Sequence, residues 1–159
     1  MKRRADPYRD TQLIDERAPR TNQVVVAVMA AVGVLVGPWW LLAIMAGQLA
    51  VGLTFGRRFC VPCVFYFEVL QRIFGESRLE DSRPPRFANQ VGVAFLTAAS
   101  VCYATGWATV GAILGLLVAA LAFLAATTGF CAGCTAYKIG YRLTGRTFVA
   151  CPLPPPLDA

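Results

Sequence analysis

Two Cys-x-x-Cys motifs are the part of this sequence whose residue types and spacing could do chemistry. Cys60 and Cys63 lie in the stretch FCVPC, and Cys131 and Cys134 lie in FCAGC. Two residues between cysteines is the spacing of a redox dithiol at a helix start, and equally of a metal-binding knuckle. In a dithiol the helix N-terminus stabilises the first thiolate, and the second sulfur resolves the mixed disulfide. We therefore predict Cys60 and Cys131 as the attacking sulfurs.

The surroundings of the motifs leave other interpretations open. If the two motifs meet, four thiolates are able to hold zinc or an iron–sulfur cluster, and the chain has no His to replace them. Buried, inert cysteines are the third interpretation. Arg57 and Arg58 add positive potential just before the first motif. Tyr66 and Tyr137, one turn after each motif, would line a dithiol site or anchor a helix at the membrane interface.

The elements that must position these cysteines are predicted from the distribution of charge. The chain is 57% hydrophobic, and no Asp, Glu, Lys or Arg occurs from Thr21 to Gly56 or from Phe87 to Tyr137. One bilayer crossing takes about 20 apolar residues, so each window is long enough for two spans. We therefore predict an all-α integral membrane protein with four transmembrane helices.

The basic residues predict the orientation of these spans. All 15 Lys and Arg residues lie outside them. Four crossings put both termini and the central segment on one side, and short basic segments stay cytoplasmic. We predict a multi-pass protein of the inner (plasma) membrane with both termini and both cysteine motifs at the cytoplasmic face. This orientation and the anionic headgroups of the lipid bilayer explain the net positive charge. No nucleic-acid partner is expected. The oligomeric state is left open.

The chain also contains an internal repeat. Asp-x-Arg-x-Pro-Arg begins at Asp15 and again at Asp81, and each copy leads through Asn-Gln-Val and a hairpin to Phe-Cys-x-x-Cys-x-x-Tyr. Because each copy crosses the membrane twice, we predict two parallel repeats, each ending in an interfacial amphipathic helix that starts at the cysteine motif. The predicted boundaries are a cytosolic N-terminal tail over 1–14, repeat 1 over 15–80 (spans 22–36 and 39–55, interfacial helix 60–75), repeat 2 over 81–146 (spans 89–105 and 107–127, interfacial helix 131–145) and a Pro-rich tail over 147–159.

The entry motif of each repeat is interpreted as a helix start. Asn22 and Asn89 are predicted N-caps, because a side-chain oxygen there accepts a free backbone N–H. Pro19 and Pro85 are expected to stop any earlier helix.

Three other side chains have simpler expected roles. Gln48, inside the second span, is predicted to hydrogen-bond across helices. Cys102 is predicted to serve packing, and Cys151 to be a free thiol in the Pro-rich tail.

The chain resembles a family of small bacterial membrane proteins catalogued as domain of unknown function 4395. The resemblance rests on the Asp-x-Arg-x-Pro-Arg and Asn-Gln motifs, the four predicted spans and the FCAGC stretch. The resemblance covers the chain from Asp15 to Arg146. It implies an association with thioredoxin-like and rhodanese-like sulfur enzymes, and so favours thiol or sulfane-sulfur chemistry. Pro62 stands in the first motif where Gly133 stands in the second, so the two sites need not be equivalent.

The leading hypothesis is therefore a membrane thiol–disulfide or sulfur-handling protein, in which the four motif cysteines are catalytic and the partner is thioredoxin-like or rhodanese-like. A quinone is a further candidate cofactor if the electrons pass into the membrane. The alternatives are a four-thiolate zinc or iron–sulfur protein and a small transporter for a sulfur species.

Overall fold

The computed structural model describes residues 5–145, and these are helical apart from one short ladder of two strands. This confirms the predicted helical class. In chain order the elements are β1 (Leu13–Asp15), α1 (Arg17–Leu35), α2 (Trp40–Thr54), a 3-10 turn (Arg57–Phe59), α3 (Val61–Phe65), a π-helical turn (Tyr66–Leu70), α4 (Gln71–Phe74), β2 (Leu79–Asp81), α5 (Arg83–Ala104), α6 (Ala108–Thr128) and α7 (Ala132–Leu143).

The long helices have the length and composition of membrane spans. Within the described residues, α1, α5 and α6 are long and apolar enough to cross a membrane. The predicted span over 39–55 corresponds to α2, which is apolar but has 15 residues. At 1.5 Å per residue α2 extends about 22 Å, less than the roughly 30 Å of a bilayer core. Large apolar side chains such as Leu35 and Phe123 face outward, as they do on a surface that contacts lipid.

The core lies between the two halves of the chain. Helix α1 packs mainly on α6, and α2 packs mainly on α5, which also contacts α6. Leu42 of α2 and Leu96 of α5 are fully buried in this core. At Gly115 of α6, a Cβ atom would lie 2.6 Å from a methyl of Val34 in α1, so the missing side chain allows the close approach. The halves therefore interlock.

An antiparallel ladder, which the helical prediction did not include, joins the segments that precede α1 and α5. Leu13 pairs with Asp81, Ile14 with Glu80, and Asp15 with Leu79. Each strand ends at the aspartate of its Asp-x-Arg motif. The ladder therefore holds the two entry motifs side by side at one end of the helices.

Helices α1 and α5 begin earlier than the sequence predicted, and the predicted caps are wrong. Asn22 and Asn89 lie inside α1 and α5, which start at Arg17 and Arg83. The aspartates take the capping role instead: Asp15 Oδ1 accepts the Arg17 N–H at 3.0 Å, and Asp81 Oδ1 accepts the Arg83 N–H at 2.9 Å. Proline is tolerated in a first helical turn, where its missing N–H has no partner to lose.

The N-terminal segment, residues 5–15, packs on the helical stretch that follows the first motif. Tyr8 meets Phe67 edge to face with ring centroids 6.0 Å apart, and its hydroxyl donates to Glu68 at 3.1 Å. Phe67 is 1% exposed. One face of the stretch predicted as an interfacial helix over 60–75 is thus covered by protein. The amphipathic pattern alone predicts a helix that lies at the membrane interface, because the sequence does not show that residues 5–15 fold back onto it.

Candidate functional site

The first motif is a buried disulfide. Cys60 and Cys63 are bonded to each other, with Cα atoms 5.2 Å apart. They belong to a small apolar cluster with Ala18, Tyr66 and Phe67, against which Tyr8, Ile14 and Leu70 also pack. Cys60 sits at the N-cap of α3 with extended backbone. The sulfurs therefore lie behind the N-terminal segment.

Two residues of α2 hold this motif in place. Gln48 of α2 donates to the carbonyl of Phe59 at 2.9 Å, so its predicted cross-element hydrogen bond fixes the residue before Cys60. A Cβ at Gly52 would lie 3.1 Å from the Cys60 Cβ. The backbone of Cys60 therefore rests directly on α2.

Arg57 and Arg58 contact the N-terminal segment. The Arg57 guanidinium donates to the carbonyls of Pro7, Asp10 and Thr11 at 3.1, 3.4 and 2.8 Å. Its pKa falls to about 10, chiefly because of burial and also because of nearby Arg86, while Asp10 opposes the shift. The Arg58 guanidinium lies 5.5 Å from the centre of the Tyr8 ring. The hydrogen bonds of Arg57 and the ring contact of Arg58 therefore fasten the segment that covers the first motif.

The second motif is a dithiol at the N-terminus of α7. Cys131 is the N-cap residue, again with extended backbone, and its Sγ accepts the N–H of Cys134 at 3.3 Å. Both thiols are free and half-buried. A Cβ at Gly133 would lie 2.7 Å from the Ala88 Cβ and 2.8 Å from its Cα. Glycine therefore lets the start of α7 rest on α5.

The hydrogen bonds around Cys131 separate the two thiols electrostatically. The Cys134 thiol, the N–H groups of Cys134 and Gly133, and the Gln23 side chain together lower the pKa of Cys131 from 9.0 to about 6, against the opposing effect of burial. The Cys134 pKa is raised because its thiol donates to Cys131, is buried and lies beside the Cys131 negative charge. At neutral pH the pair therefore consists of one thiolate and one thiol, the state that initiates thiol–disulfide exchange.

The two tyrosines have different surroundings. Tyr66 is buried within the disulfide cluster, and its pKa is raised by burial and by the negative charge of Asp15. The Tyr137 ring packs at a tilt against Phe87 and Tyr141, with ring centroids 5.5 and 5.2 Å apart. Tyr66 therefore packs with its motif, whereas Tyr137 forms an aromatic row along α7.

An asparagine pair lies between the two motifs. The Asn22 side-chain amide approaches Asn89 Oδ1 at 3.5 Å. Both asparagines line a cavity of about 270 Å³ that includes Cys60 and Cys63, and both line a second cavity, of about 150 Å³, that includes Cys131. Asn22 and Asn89 are predicted from the sequence as caps, and the predicted site does not include Gln23. The recurrence of Asn-Gln in both copies was the signal that could have identified them.

The four motif cysteines do not form one metal site. In residues 5–145, no group of three or more His, Cys, Asp or Glu side chains is arranged to hold a metal ion. The first pair is closed as a disulfide and the second lies at another helix start. Cys102 is a half-buried free thiol in α5, and Cys151 lies outside the described residues.

Comparison with known proteins identifies a family whose description gives no function. No curated protein and no solved structure is significantly similar to the chain. The family model described as "Domain of unknown function (DUF4395)" matches residues 14–142, which include both entry motifs, the four long helices and both cysteine motifs. The chain therefore belongs to the DUF4395 family.

Proposed function

We propose that this protein is a membrane-bound thiol–disulfide or sulfur-handling protein in which Cys131 is the attacking thiolate and Cys134 the resolving thiol. The observation that carries the proposal is the acceptance of the Cys134 N–H by Cys131 Sγ at the start of α7, together with the lowered pKa of Cys131. A thiolate that is exposed in part and has a thiol three residues away is the arrangement that dithiol exchange requires.

The proposed exchange balances in two steps. The Cys131 thiolate attacks one sulfur of a substrate disulfide, forms a mixed disulfide and releases the other sulfur as a thiolate. Cys134 then loses its proton and attacks the Cys131 sulfur, which forms the Cys131–Cys134 disulfide and releases the second substrate thiolate. The substrate gains two electrons and the dithiol loses two. A thioredoxin-like protein, or a persulfide-bearing rhodanese-like protein, is the partner class that this chemistry suits.

In this proposal, thiol–disulfide exchange is slower at the first motif than at the second. Cys60 and Cys63 start as a disulfide behind the N-terminal segment, so exchange there requires that segment to open. Its cavity and that of Cys131 both border Asn22 and Asn89. We therefore assign Cys131 and Cys134 to the first contact with a partner.

The membrane arrangement is part of the proposal. We infer that α2 is a fourth span, two residues short of the usual lower limit of about 17 and assisted by the apolar residues that flank it. The antiparallel ladder, the exchanged packing of α1 on α6 and α2 on α5, and the matching N-cap positions of Cys60 and Cys131 support two parallel repeats. The basic residues, all outside the predicted spans, favour a cytoplasmic face for both motifs in the inner membrane.

A trapping experiment tests the assignment of the attacking sulfur. The Cys134→Ser variant, reduced and then mixed with oxidised glutathione, is expected to accumulate one glutathione on Cys131, because no resolving thiol remains to displace it. Peptide mass spectrometry after acid quenching locates the adduct. Cys131→Ser is the matched variant, and it is expected to react far more slowly because Cys134 remains a protonated thiol.

The opposite pattern would overturn the assignment. If Cys131→Ser traps glutathione on Cys134 as fast as Cys134→Ser traps it on Cys131, the hydrogen bonds at the start of α7 do not select the nucleophile. If neither variant forms an adduct while small alkylating reagents reach both thiols, the motif does not take part in disulfide exchange.

A further inference from the structure

The cavity beside Cys131 has a polar end and apolar walls. Its polar end contains Cys131, Gln23, Asn22 and Asn89, and its walls come mainly from α5 and α6. We name it the Cys131 cleft. The apolar lining includes Val26, Gly92, Phe95, Leu117 and Leu121. A ligand in this cleft would therefore place a polar group beside the cysteine and its remainder among the helices.

The volume of the cleft limits the ligand to about one ring. It measures about 150 Å³, and an apolar protein cavity of roughly 150 Å³ accepts one benzene molecule. Typical drug-sized pockets are larger, from about 300 Å³ upward. A single six-membered ring fits this space, and a longer substituent would have to leave the cleft toward the bilayer.

Asn22 supplies a separate indication of a ligand. Asn22 is 2% exposed and lines both this cleft and the cavity beside Cys60, and within residues 5–145 its Oδ1 accepts no hydrogen bond. Leaving a buried acceptor unpaired is unfavourable. A ligand with an O–H group on its ring would donate to this oxygen, and the ring could then lie against Cys131 at the same end of the cleft.

We propose that the Cys131 cleft binds the ring of a membrane-soluble benzoquinone, which accepts the electrons of the Cys131–Cys134 dithiol. This inference rests on the proposed function, with the exchange run in reverse. The dithiol of a thioredoxin-like partner reduces the Cys131–Cys134 disulfide and becomes a disulfide itself, and the quinone then accepts the two electrons of the re-formed Cys131–Cys134 dithiol. The Cys131 thiolate, the Cys134 thiol and one further proton from water supply two electrons and two protons. The products are the Cys131–Cys134 disulfide and the quinol, whose hydroxyl donates to Asn22 Oδ1.

The test uses the full-length protein in detergent micelles and a benzoquinone in which every ring position is substituted, one of them by a decyl chain. Full substitution removes the ring positions at which a thiol could add. Reduced protein is mixed with this quinone without oxygen, and quinol formation is followed by ultraviolet absorbance. We expect one quinol for each Cys131–Cys134 disulfide formed, and no quinol from the Cys131→Ser/Cys134→Ser double variant.

Two glycines provide a matched pair of variants for the cleft. Gly92 lines it, and among residues 5–145 a Cβ there meets Leu49 at an ordinary 3.5 Å, so Gly92→Leu adds its side chain at the wall of the cleft without a backbone clash. Gly47 of α2 has nothing within 4 Å of its Cβ position, so Gly47→Leu adds the same atoms outside the cleft. We expect Gly92→Leu to slow quinol formation roughly tenfold or more, the usual effect of obstructing an apolar pocket, and Gly47→Leu to leave it unchanged.

Binding without electron transfer separates this inference from the proposed function. The Cys131→Ser/Cys134→Ser double variant, kept oxidised so that Cys60 and Cys63 remain a disulfide, should bind the decyl quinone in equilibrium dialysis, and addition of Gly92→Leu should weaken that binding. Asn22→Leu should weaken binding of the quinol more than that of the quinone, since only the quinol donates to Oδ1.

Two results would overturn the quinone site. One is trapping of glutathione on Cys131 together with neither quinone binding nor quinol formation, which would leave dithiol exchange standing. The other is equal quinol formation by Gly92→Leu and Gly47→Leu, which would mean that the thiols reduce quinone in solution or at another surface. Failure of glutathione trapping with intact quinone binding would instead reject the exchange function and retain the ligand site.

Discussion

The two cysteine motifs follow similar pairs of long helices, but they differ in chemical state and in cover. Cys60 and Cys131 both stand at an N-cap with extended backbone. Cys60 is bonded to Cys63, whereas Cys131 Sγ accepts the Cys134 N–H and the pKa of Cys131 is lowered. The same short motif thus reaches two outcomes, and the surroundings of each motif decide which.

One difference lies inside the motifs. In the second motif the N–H of Gly133 helps to lower the pKa of Cys131. Pro62 occupies the corresponding position of the first motif, and proline has no N–H to donate. The second motif therefore has one more backbone donor for a thiolate. This single change favours the attacking role at Cys131.

The other difference lies outside them. The N-terminal segment covers the first motif through Tyr8 and Phe67 and through the Arg57 hydrogen bonds. Within the described residues, α7 packs chiefly on α5, and its aromatic row remains partly exposed. A segment that is remote in sequence therefore covers the first motif, whereas α7, which carries the second motif, remains partly exposed.

Phe67→Ala is expected to have the largest effect on the cover over the first motif. Phe67 is fully buried under the N-terminal segment, and removal of such a side chain costs about 3–5 kcal/mol. We expect faster reduction of the Cys60–Cys63 disulfide by a phosphine and no change in alkylation of Cys131. Rates come from mass-tagged alkylation of each cysteine. Phe74→Ala is the control, because Phe74 is 68% exposed. Equal acceleration in both variants would show that the N-terminal segment does not protect the disulfide.

Alanine at Gly133 and at Gly52 compares the backbone contacts of the two motifs. At Gly133 the added Cβ lies within 3 Å of the Ala88 backbone, and overpacking of this kind costs about 1–3 kcal/mol. At Gly52 the closest atom is the Cys60 Cβ at 3.1 Å, which demands a smaller shift. We expect Gly133→Ala to lower both the thermal unfolding temperature and the Cys131 alkylation rate, with a weaker effect of Gly52→Ala.

Gly140→Ala is the control for these glycines. It lies in the same helix as Gly133, and a Cβ there has nothing within 4 Å. Helix propensity predicts a stabilisation of up to about 1 kcal/mol. A loss of stability similar to that of Gly133→Ala would mean that α7 tolerates no substitution, and that contact with α5 is not the cause.

The helical class and the placement of the motifs at helix starts could be predicted, because charge-free windows and Cys-x-x-Cys spacing are local properties of the sequence. The first residues of α1 and α5 could not be located from the sequence. Asn22 and Asn89 are good capping residues, but Asp15 and Asp81 reach the free N–H groups two residues ahead. The strand ladder also escaped prediction, because three-residue strands have too few positions to show a period.

The inequality of the two sites was only partly visible in the sequence. Pro62 and Gly133 signalled it, whereas the Gln23 contribution to Cys131 and the cover over Phe67 join residues far apart in the chain. Such contacts follow from the packing of α1 on α6 and from the path of residues 5–15. Neither is encoded in the spacing of the cysteines.

Gln23→Leu removes one of the donors to the second motif. Because the Gln23 side chain lowers the pKa of Cys131, its loss should move that pKa upward from about 6. In wild-type protein, alkylation of Cys131 should rise with pH through an inflection near 6, since the thiolate is the reactive form. The inflection of the variant should lie at higher pH, as measured with iodoacetamide and mass spectrometry.

The repeat offers the control for this change. Gln90 follows Asn89 as Gln23 follows Asn22, and Gln90 is exposed. Gln90→Leu should leave the Cys131 inflection in place. A shift of the same size in both variants would attribute the effect to added apolar surface, and not to a lost hydrogen bond.

Arg58→Ala makes the smallest expected change, and it tests the edge of the covering segment. The Arg58 guanidinium lies over the Tyr8 ring, and such a contact contributes about 0.5–1 kcal/mol at an exposed site. Its loss should speed phosphine reduction of Cys60–Cys63 about two- to fivefold, because the opening of a covered site scales with the energy that holds it closed. Arg142→Ala removes an equal charge from α7, and should leave that rate unchanged. If Arg142→Ala accelerates reduction as much, the overall positive charge governs the rate, and the contact with Tyr8 contributes nothing to the protection of the first motif.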